Sequence, residues 1–171
     1  MNRVLVRGKV FKYGDNINTD IISPPQYMEL SIAEASKYTL APLDPEFASK
    51  VRKGDILVAG ANFGPGSSRE TSPLTLRYLG VSAIVAKFFA RIFYRNAINI
   101  GLPVVECQQV DRIAAGDEIE IDFEGGKITN LTKGEQYVSG TIPPHILQLI
   151  QDGGLVAHLK KHSAELIGKK Q

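Results

Sequence analysis

The amino-acid sequence predicts one α/β domain whose sheet is partly parallel and carries an additional antiparallel β annex. Three observations support this prediction. Between residues 55 and 105, short apolar runs alternate with stretches of helical spacing, which is typical of parallel strands joined by helical crossovers. Residues 118–123 alternate between polar and apolar, as a half-buried antiparallel strand does. The length of 171 residues suits a single domain with a substantial core.

The N-terminal third is predicted to begin with a strand over 4–13 and a polar loop over 14–20. A mobile segment over 23–50 follows, and it contains a short helix over 32–37. The strand alternates around Gly8, which indicates a bend or a bulge. The loop is rich in Asp and Asn, whose side chains hydrogen-bond nearby backbone. Ser31 and Glu34 form a capping box at the start of the helix. Residues 38–53 are predicted to be irregular and contain Pro42 and Pro45, as mobile surface loops often do.

The middle third contains the α/β alternation. The strand candidates are short apolar runs bounded by turn residues, as buried parallel strands usually are. They cover 55–60, 83–86 and 104–105. A glycine-rich loop and a helix that ends near Gly80 follow the first strand. A second helix is predicted over 88–100 and ends at Gly101, with Pro103 beyond it.

The last third is predicted to be the antiparallel annex followed by two helices. The strands are 118–123 and 127–131, joined by a Gly-Gly turn, and then 137–141. The first helix opens at a Pro-Pro pair, because proline is favoured at the first helical position. The helices cover 143–150 and 155–167, and the second of them has amphipathic spacing.

Composition and charge exclude several classes of protein. Net charge is +2 and the basic residues are scattered, whereas a nucleic-acid-binding face usually shows a basic stripe or a recognisable motif. Charges interrupt the apolar run at the N-terminus, so it does not resemble a signal peptide. No apolar stretch approaches membrane-spanning length. We therefore expect a cytoplasmic protein, by default, with neither nucleic-acid nor membrane partners. The single cysteine, Cys107, permits no internal disulfide and cannot hold an iron–sulfur cluster.

The loop 64–70, with the sequence GPGSSRE, has the composition of an anion-binding site. Gly64 and Gly66 let the backbone approach a ligand without a Cβ clash. The predicted helix that follows offers free N–H groups and a positive dipole end. Arg69 adds a planar guanidinium that matches a carboxylate in two-point geometry. The loop is thus predicted to hold a carboxylate or phosphate close to the hydroxyl groups of two serines.

A purely structural explanation of this loop also exists. Ser67 and Glu70 have the spacing of a capping box, which requires no function. A second helix start at Ser72, with proline next to it, would instead leave Ser67 and Ser68 in the loop and available to a ligand. A phosphate-binding P-loop is disfavoured because the lysine that follows its second glycine is missing.

Three segments resemble the swivelling domain of the aconitase family. They are NFGPGSSRE at 62–70, DNINTDIISP at 15–24 and FARIFYRNAINIGLP at 89–103. The resemblance is greatest to the family's small subunits, those of 3-isopropylmalate dehydratase and homoaconitase. It implies a swivelling β/β/α domain that spans residues 1–171 and closes over a separate large subunit. That subunit would carry a [4Fe-4S] cluster, and this chain would bind no cofactor itself.

The resemblance also implies an activity and roles for particular residues. The reaction is the dehydration and isomerisation of a hydroxy dicarboxylic acid, foremost 2-isopropylmalate to 3-isopropylmalate in leucine biosynthesis. Ser67 aligns with the family's catalytic base. Ser68 and Arg69 would bind a substrate carboxylate, and Asp20 lies on a second loop that reaches the same site in the family.

The sequence departs from the family at the segment expected to select the substrate. Relatives carry a tyrosine-led segment whose third residue contacts the substrate side chain, and here it is 27–30. Its third residue, Glu29, suits neither an extra carboxylate nor an isopropyl group. Met28 and Leu30 would then line an apolar pocket, which favours small alkyl groups over a tricarboxylate. The family also commonly has cysteine where Pro65 stands, and histidine or glutamine where Thr71 stands.

Other hypotheses stay open at this point. The substrate could be homoaconitate, 2,3-dimethylmalate or citramalate. Alternatively, the chain could be a non-catalytic regulatory subunit that binds an anion, although retention of both Ser67 and Arg69 favours an enzyme. For His145, His158 and His162 we expect surface or capping roles and no metal site. Self-association of the isolated chain and the stoichiometry with a partner are not decided by the sequence.

Overall fold

A mixed sheet forms the centre of the fold in the computed structural model, which describes residues 4–67 and 71–169, with side chains through residue 163. The described strands are β1 Leu5–Lys12, β2 Ile56–Val58, β3 Ala83–Ala86, β4 Val104–Glu106, β5 Glu118–Asp122, β6 Lys127–Asn130 and β7 Glu135–Val138. Their order is β4-β3-β2-β1-β5-β6-β7. The half from β4 to β1 is parallel, and the half from β1 to β7 is antiparallel. The predicted α/β class with an antiparallel annex is confirmed.

Strand β1 joins the two halves of the sheet. Its second half runs parallel to β2, with Val10 opposite Ile56, and its first half runs antiparallel to β5. Gly8 lies where the strand passes from one partner to the other. A Cβ built there would lie 2.0 Å from the carbonyl oxygen of Gly54. The glycine is therefore required by the close approach of a neighbouring backbone, and β1 runs through it as one continuous strand.

The parallel strands are buried on both faces. Leu57 and Ile84 belong to one apolar cluster, whereas Ile56, Val58 and Val85 belong to a second cluster on the opposite side. All five are completely inaccessible to solvent. This burial explains why the parallel strands read as continuous apolar runs in the sequence, and why the half-covered β5 alternates instead.

The helices cover the sheet and lead into its loops. They are α1 Thr19–Ile22, α2 Ile32–Ser36, α3 Phe47–Lys50, α4 Thr71–Tyr78, α5 Arg91–Asn99, α6 Pro144–Gln151 and α7 Leu155–Lys169. Two short 3₁₀ helices cover Pro25–Tyr27 and Val110–Arg112. Within the described ranges, no helix is both long enough and apolar enough to cross a bilayer.

The segment 23–50 is more regular than its composition predicts. The capping box is present, since the Ser31 hydroxyl accepts a hydrogen bond from Glu34 N at 3.2 Å and α2 follows. The part predicted to be irregular contains α3 and buries Leu40 and Phe47 completely. The Phe47 ring packs edge-on against Phe11, with centroids 5.1 Å apart. The end of the segment is thereby anchored to β1. Mobility of the segment stays a prediction.

Candidate active site

The loops that follow β1 and β2 lie side by side and are joined by backbone hydrogen bonds. Each loop both donates and accepts, as if the parallel sheet continued past the ends of its strands. The bonds are Gly60 N to Gly14 O (3.0 Å), Asn16 N to Ala61 O (2.9 Å), Gly64 N to Ile17 O (2.8 Å) and Thr19 N to Pro65 O (2.9 Å). The segments 14–19 and 60–65 therefore form one structural unit, although paired residues such as Asp15 and Ala61 are 46 positions apart in the sequence.

The loop after β3 continues this unit on its other side. Phe63 N donates to Phe88 O at 3.1 Å, and Ala90 N donates to Phe63 O at 2.9 Å. This pairing keeps residues 87–90 extended, so α5 begins at Arg91 and not at residue 88 as the spacing predicted. The Phe63 ring lies edge-on to Phe89 and Phe93, at centroid distances of 5.8 and 5.1 Å. The packed rings of these three phenylalanines thus support the glycine-rich loop.

Both glycines of the loop are required by their surroundings. Gly64 has φ +88° and Gly66 has φ +122°, in the region that side chains strongly disfavour. A Cβ at Gly64 would lie 2.3 Å from the ring of Phe93, and a Cβ at Gly66 would lie 2.6 Å from Thr19 Oγ1. These contacts hold the loop against α5 on one side and against the start of α1 on the other.

Ser67 is presented at the exposed tip of this unit. Its Oγ lies 3.5 Å from Thr19 Oγ1, at the long end of hydrogen-bond distance. Asp20 directly follows Thr19 in the first turn of α1 and is exposed. Ser68 and Arg69, the predicted carboxylate ligands, lie outside the described residues. The structure therefore brings Ser67 close to the loop that carries Asp20.

Side chains within the first loop fasten it to the second. Ala61 N donates to Asp15 Oδ1 at 2.7 Å, and Asn62 Nδ2 donates to Asn16 Oδ1 at 3.2 Å. Asn16 and Asn62 both have left-handed backbone conformations, φ 57° and 58°, which asparagine tolerates better than most residues. The sequence predicted a polar loop for Asp15 and Asn16 and a motif of its own for Asn62, but no contact between them. Their role in pairing two loops depends on a contact that no local pattern reveals.

The segment 27–30 forms the wall of a small, mainly apolar pocket. The pocket is lined by Ser23, Pro24, Tyr27, Met28, Leu30, Ile32, Ala35, Thr71 and Thr75. Tyr27 is held in place by stacking on Tyr38, with ring centroids 3.7 Å apart and planes inclined by 7°. Glu29 is exposed and is not part of the lining. Thr71 begins α4 and so connects this pocket to the loop that carries Ser67.

Helix α4 begins at Thr71, four residues beyond Ser67. Ser67 lies outside the described helix, as both a capping box at Ser67 and a helix start near Ser72 would allow. Contacts between Ser67 and Glu70 lie outside the described residues. The hydroxyls of Thr71 and Ser72 are both buried, and neither has a hydrogen-bond partner within the part of the chain that the structure describes.

Cys107 does not belong to this site. It is 1% exposed, beyond the end of β4, and packs in the second apolar cluster. Burial raises the pKa of its thiol, because the charged thiolate is poorly solvated there. A buried neutral thiol is neither a nucleophile nor a ready metal ligand.

The chain is similar, in sequence and in fold, to known proteins of one family. Residues 15–110, more than half of the chain, match the family model described as the aconitase C-terminal domain. The 3-isopropylmalate dehydratase small subunit 1 of Thermotoga maritima is 52% identical over 162 residues, covering 94% of this chain and 98% of that protein. The isopropylmalate/citramalate isomerase small subunit of Methanocaldococcus jannaschii is 44% identical, covering 95% and 98%. A crystal structure of 3-isopropylmalate dehydratase from the latter organism superimposes with TM-score 0.92 at 38% identity, covering 98% and 100%.

Proposed function

The chain belongs to the aconitase C-terminal domain family, and from this premise we propose that it is the small subunit of a heteromeric hydro-lyase, 3-isopropylmalate dehydratase. The proposal depends chiefly on one observation, the 52% identity to a small subunit of that enzyme over almost the full length of both chains. The reaction converts 2-isopropylmalate to 3-isopropylmalate by loss and re-addition of water, a step of leucine biosynthesis.

Ser67 is the proposed catalytic base, which removes the proton next to a substrate carboxylate. A serine hydroxyl is a poor base, so its alkoxide must be stabilised by nearby donors and positive charge. Thr19 Oγ1, at 3.5 Å, is positioned to donate such a hydrogen bond after a small approach. Gly66 aids this approach, because its missing side chain leaves room for the threonine hydroxyl. Thr19 is therefore a positioning residue in this proposal.

Ser68 and Arg69 are the proposed ligands of a substrate carboxylate, and Asp20 is proposed to reach the same site from the neighbouring loop. The guanidinium of Arg69 offers two parallel N–H donors to a carboxylate, which fixes the orientation of the substrate as well as its position. Two backbone loops that are hydrogen-bonded along their length would keep these groups in a constant geometry, as catalysis by positioning requires.

A large subunit is the proposed partner, and it would carry a [4Fe-4S] cluster. Such a cluster needs several thiolates, whereas this chain has a single cysteine that is buried and holds its proton strongly. When bound, the cluster would supply a Lewis acid for the departing hydroxyl group. The residues of this chain would bind the substrate carboxylate, accept the proton at Ser67 Oγ and return it after the double bond has formed.

The pocket beside the loop favours a substrate with a small alkyl group. Met28 and Leu30 contribute apolar surface, while the carboxylate of Glu29 points to solvent and offers no partner for an extra substrate carboxylate. An apolar wall of this kind favours the isopropyl group of isopropylmalate over an additional carboxylate. Citramalate, which carries a methyl group, is the second candidate substrate, since a relative that is 44% identical is described as acting on both acids.

The test is to co-express the chain with a cluster-bearing large subunit under anaerobic conditions and to assay isopropylmalate, citramalate, dimethylmalate and homoaconitate. Ser67→Ala should lower kcat by about 10²–10⁴-fold while the complex still assembles, because only the proton transfer is lost. Ser49→Ala, at an exposed serine on α3, is the matched control and should leave kcat unchanged. No dehydratase activity in a correctly assembled complex would overturn the proposal.

The same preparation tests the pocket. Met28→Ala enlarges the apolar wall and should shift the ratio of kcat/KM values between isopropylmalate and citramalate, whereas Glu29→Gln should leave that ratio nearly unchanged. An unchanged ratio in Met28→Ala, or a large change in Glu29→Gln, would remove this pocket from substrate selection.

A further inference from the structure

The corner between α6 and α7 brings three potential metal ligands together. Asp152 follows the last residue of α6, and two glycines with φ +98° and +116° then turn the chain into α7. His158 and His162 lie four residues apart on α7, so they occupy the same face of the helix. Their ring centroids are 4.2 Å apart. One oxygen of Asp152 and one nitrogen of each ring all lie within 4.8 Å of one another.

The two oxygens of Asp152 have different partners. Oδ2 faces the histidines, 2.6 Å from His158 Nδ1 and 3.6 Å from His162 Nε2. Oδ1 instead accepts hydrogen bonds from Gln148 Nε2 at 3.0 Å and from Lys161 Nζ at 3.2 Å. The carboxylate side chain is only 5% exposed. It is therefore held in one orientation, with a single oxygen directed at the two imidazoles.

We propose that Asp152, His158 and His162 form a binding site for a divalent transition-metal ion, with Zn²⁺ as the ion that best fits the ligands. Two imidazoles and one carboxylate oxygen are a usual ligand set for zinc, with a water molecule in the fourth position. The histidine side chains are 25% and 42% exposed, which leaves that fourth position open to solvent.

Two of the three separations between ligand atoms require only a small rearrangement, and the third, between the two imidazole nitrogens, lies within 4.8 Å. Ligand atoms around tetrahedral zinc lie about 3.3 Å apart, given bonds of about 2.0–2.1 Å. The 3.6 Å separation of Oδ2 from His162 Nε2 is already close to this value. The 2.6 Å separation from His158 Nδ1 must lengthen by less than about 1 Å, which a rotation of the imidazole provides.

Lys161 does not occupy the proposed position. Its ammonium group lies on the Oδ1 side of the carboxylate and is 57% exposed, whereas the ion would lie on the Oδ2 side. Hydrogen bonds to the second oxygen of a carboxylate ligand usually orient it and increase its affinity for the metal. Gln148, on α6, acts on the same oxygen.

The expected effect of the ion is to fasten α7 to the rest of the domain. The ligands come from both sides of the turn at Gly153 and Gly154, and a Cβ at Gly154 would lie 2.5 Å from the carbonyl oxygen of Asn99, the last residue of α5. The corner is thus packed against the C-terminal end of α5. Phe93, which contacts Gly64, lies near the other end of that helix. The proposed ion has a structural role, so its effect should be seen in thermal stability and not in turnover.

The experiment titrates the untagged full chain with Zn²⁺ in competition with a chromogenic chelator, and with Co²⁺ followed by its visible absorption. We expect one equivalent to bind with a Kd below about 10 μM and to raise Tm. His158→Ala and His162→Ala should each weaken binding by at least about 10-fold and abolish the rise in Tm. His145→Ala, at an exposed histidine on α6, and Cys107→Ser are the matched controls and should leave the affinity unchanged.

The visible spectrum of the Co²⁺ form keeps the test decisive even if a variant folds poorly, because it reports nitrogen and oxygen coordination in the unaltered chain. A Kd weaker than about 10 μM in the unaltered chain, or undiminished affinity in a folded His158→Ala/His162→Ala variant, would overturn the proposal.

Discussion

Gly66→Ala is the substitution that most directly tests how the two loops are held together. Two costs are expected in the free energy of unfolding. A φ of +122° is strained for any residue with a side chain, at about 1–3 kcal/mol. The new Cβ would also lie 2.6 Å from Thr19 Oγ1, and overpacking of this kind costs about 1–3 kcal/mol. The total expected loss is therefore about 2–6 kcal/mol, measured by urea denaturation.

Two further variants separate the costs. Gly134→Ala meets no atom within 4 Å at a φ of +70°, so it should lose only about 1–2 kcal/mol from backbone strain. In a Thr19→Ala background the clashing oxygen is absent, and the nearest remaining side-chain atom, the Cβ of residue 19, is 3.8 Å away. Gly66→Ala should then cost about 1–3 kcal/mol less than in the unaltered chain. Equal costs for Gly66→Ala in both backgrounds would refute the contact on which the reasoning depends.

Two other predictions concern single carboxylates. Asp15→Ala removes the acceptor of Ala61 N and should cost about 1 kcal/mol in urea denaturation, whereas Asp15→Asn keeps an acceptor and should cost less; equal losses would contradict this role. Burial alone would raise the pKa of Asp117, but hydrogen bonds from Ala114 N and Asn130 outweigh it and the pKa is lowered. Its stabilisation should be present above about pH 4 and be lost as pH falls further, so the difference between the unaltered chain and Asp117→Asn should shrink there. A difference independent of pH would contradict this account.

The sequence predicted the elements well where one local pattern decides them. The apolar runs of β2 and β3, the alternation of β5 and the capping box at Ser31 are all set by neighbours within a few residues. Element ends were less well predicted. The helix α5 starts three residues later than predicted because Phe88 and Ala90 are hydrogen-bonded to Phe63, a partner from a different loop. The burial of Phe47 likewise depends on β1, more than thirty residues away.

The sequence indicated candidate residues for the site but not how the loops that carry them are paired. The glycines and Ser67 could be singled out because their chemistry is local. The pairing of the first two loops could not, since it joins Asp15 and Asn16 to residues more than forty positions along the chain. The cluster at Asp152 was missed for a related reason. Two histidines four residues apart are a weak signal until a third ligand from another helix is placed beside them.

The position of β1 at the centre of the sheet has a consequence for the order of folding. Its antiparallel partner β5 pairs Leu5 with Asp122, so this contact closes a loop of more than a hundred residues. The hairpins from β5 to β7 need only neighbouring residues and are able to form early. During synthesis β1 leaves the ribosome before the other described strands, and its last partner β5 follows more than a hundred residues later. Completion of the sheet, and not formation of either half, should therefore limit the rate at which this protein folds.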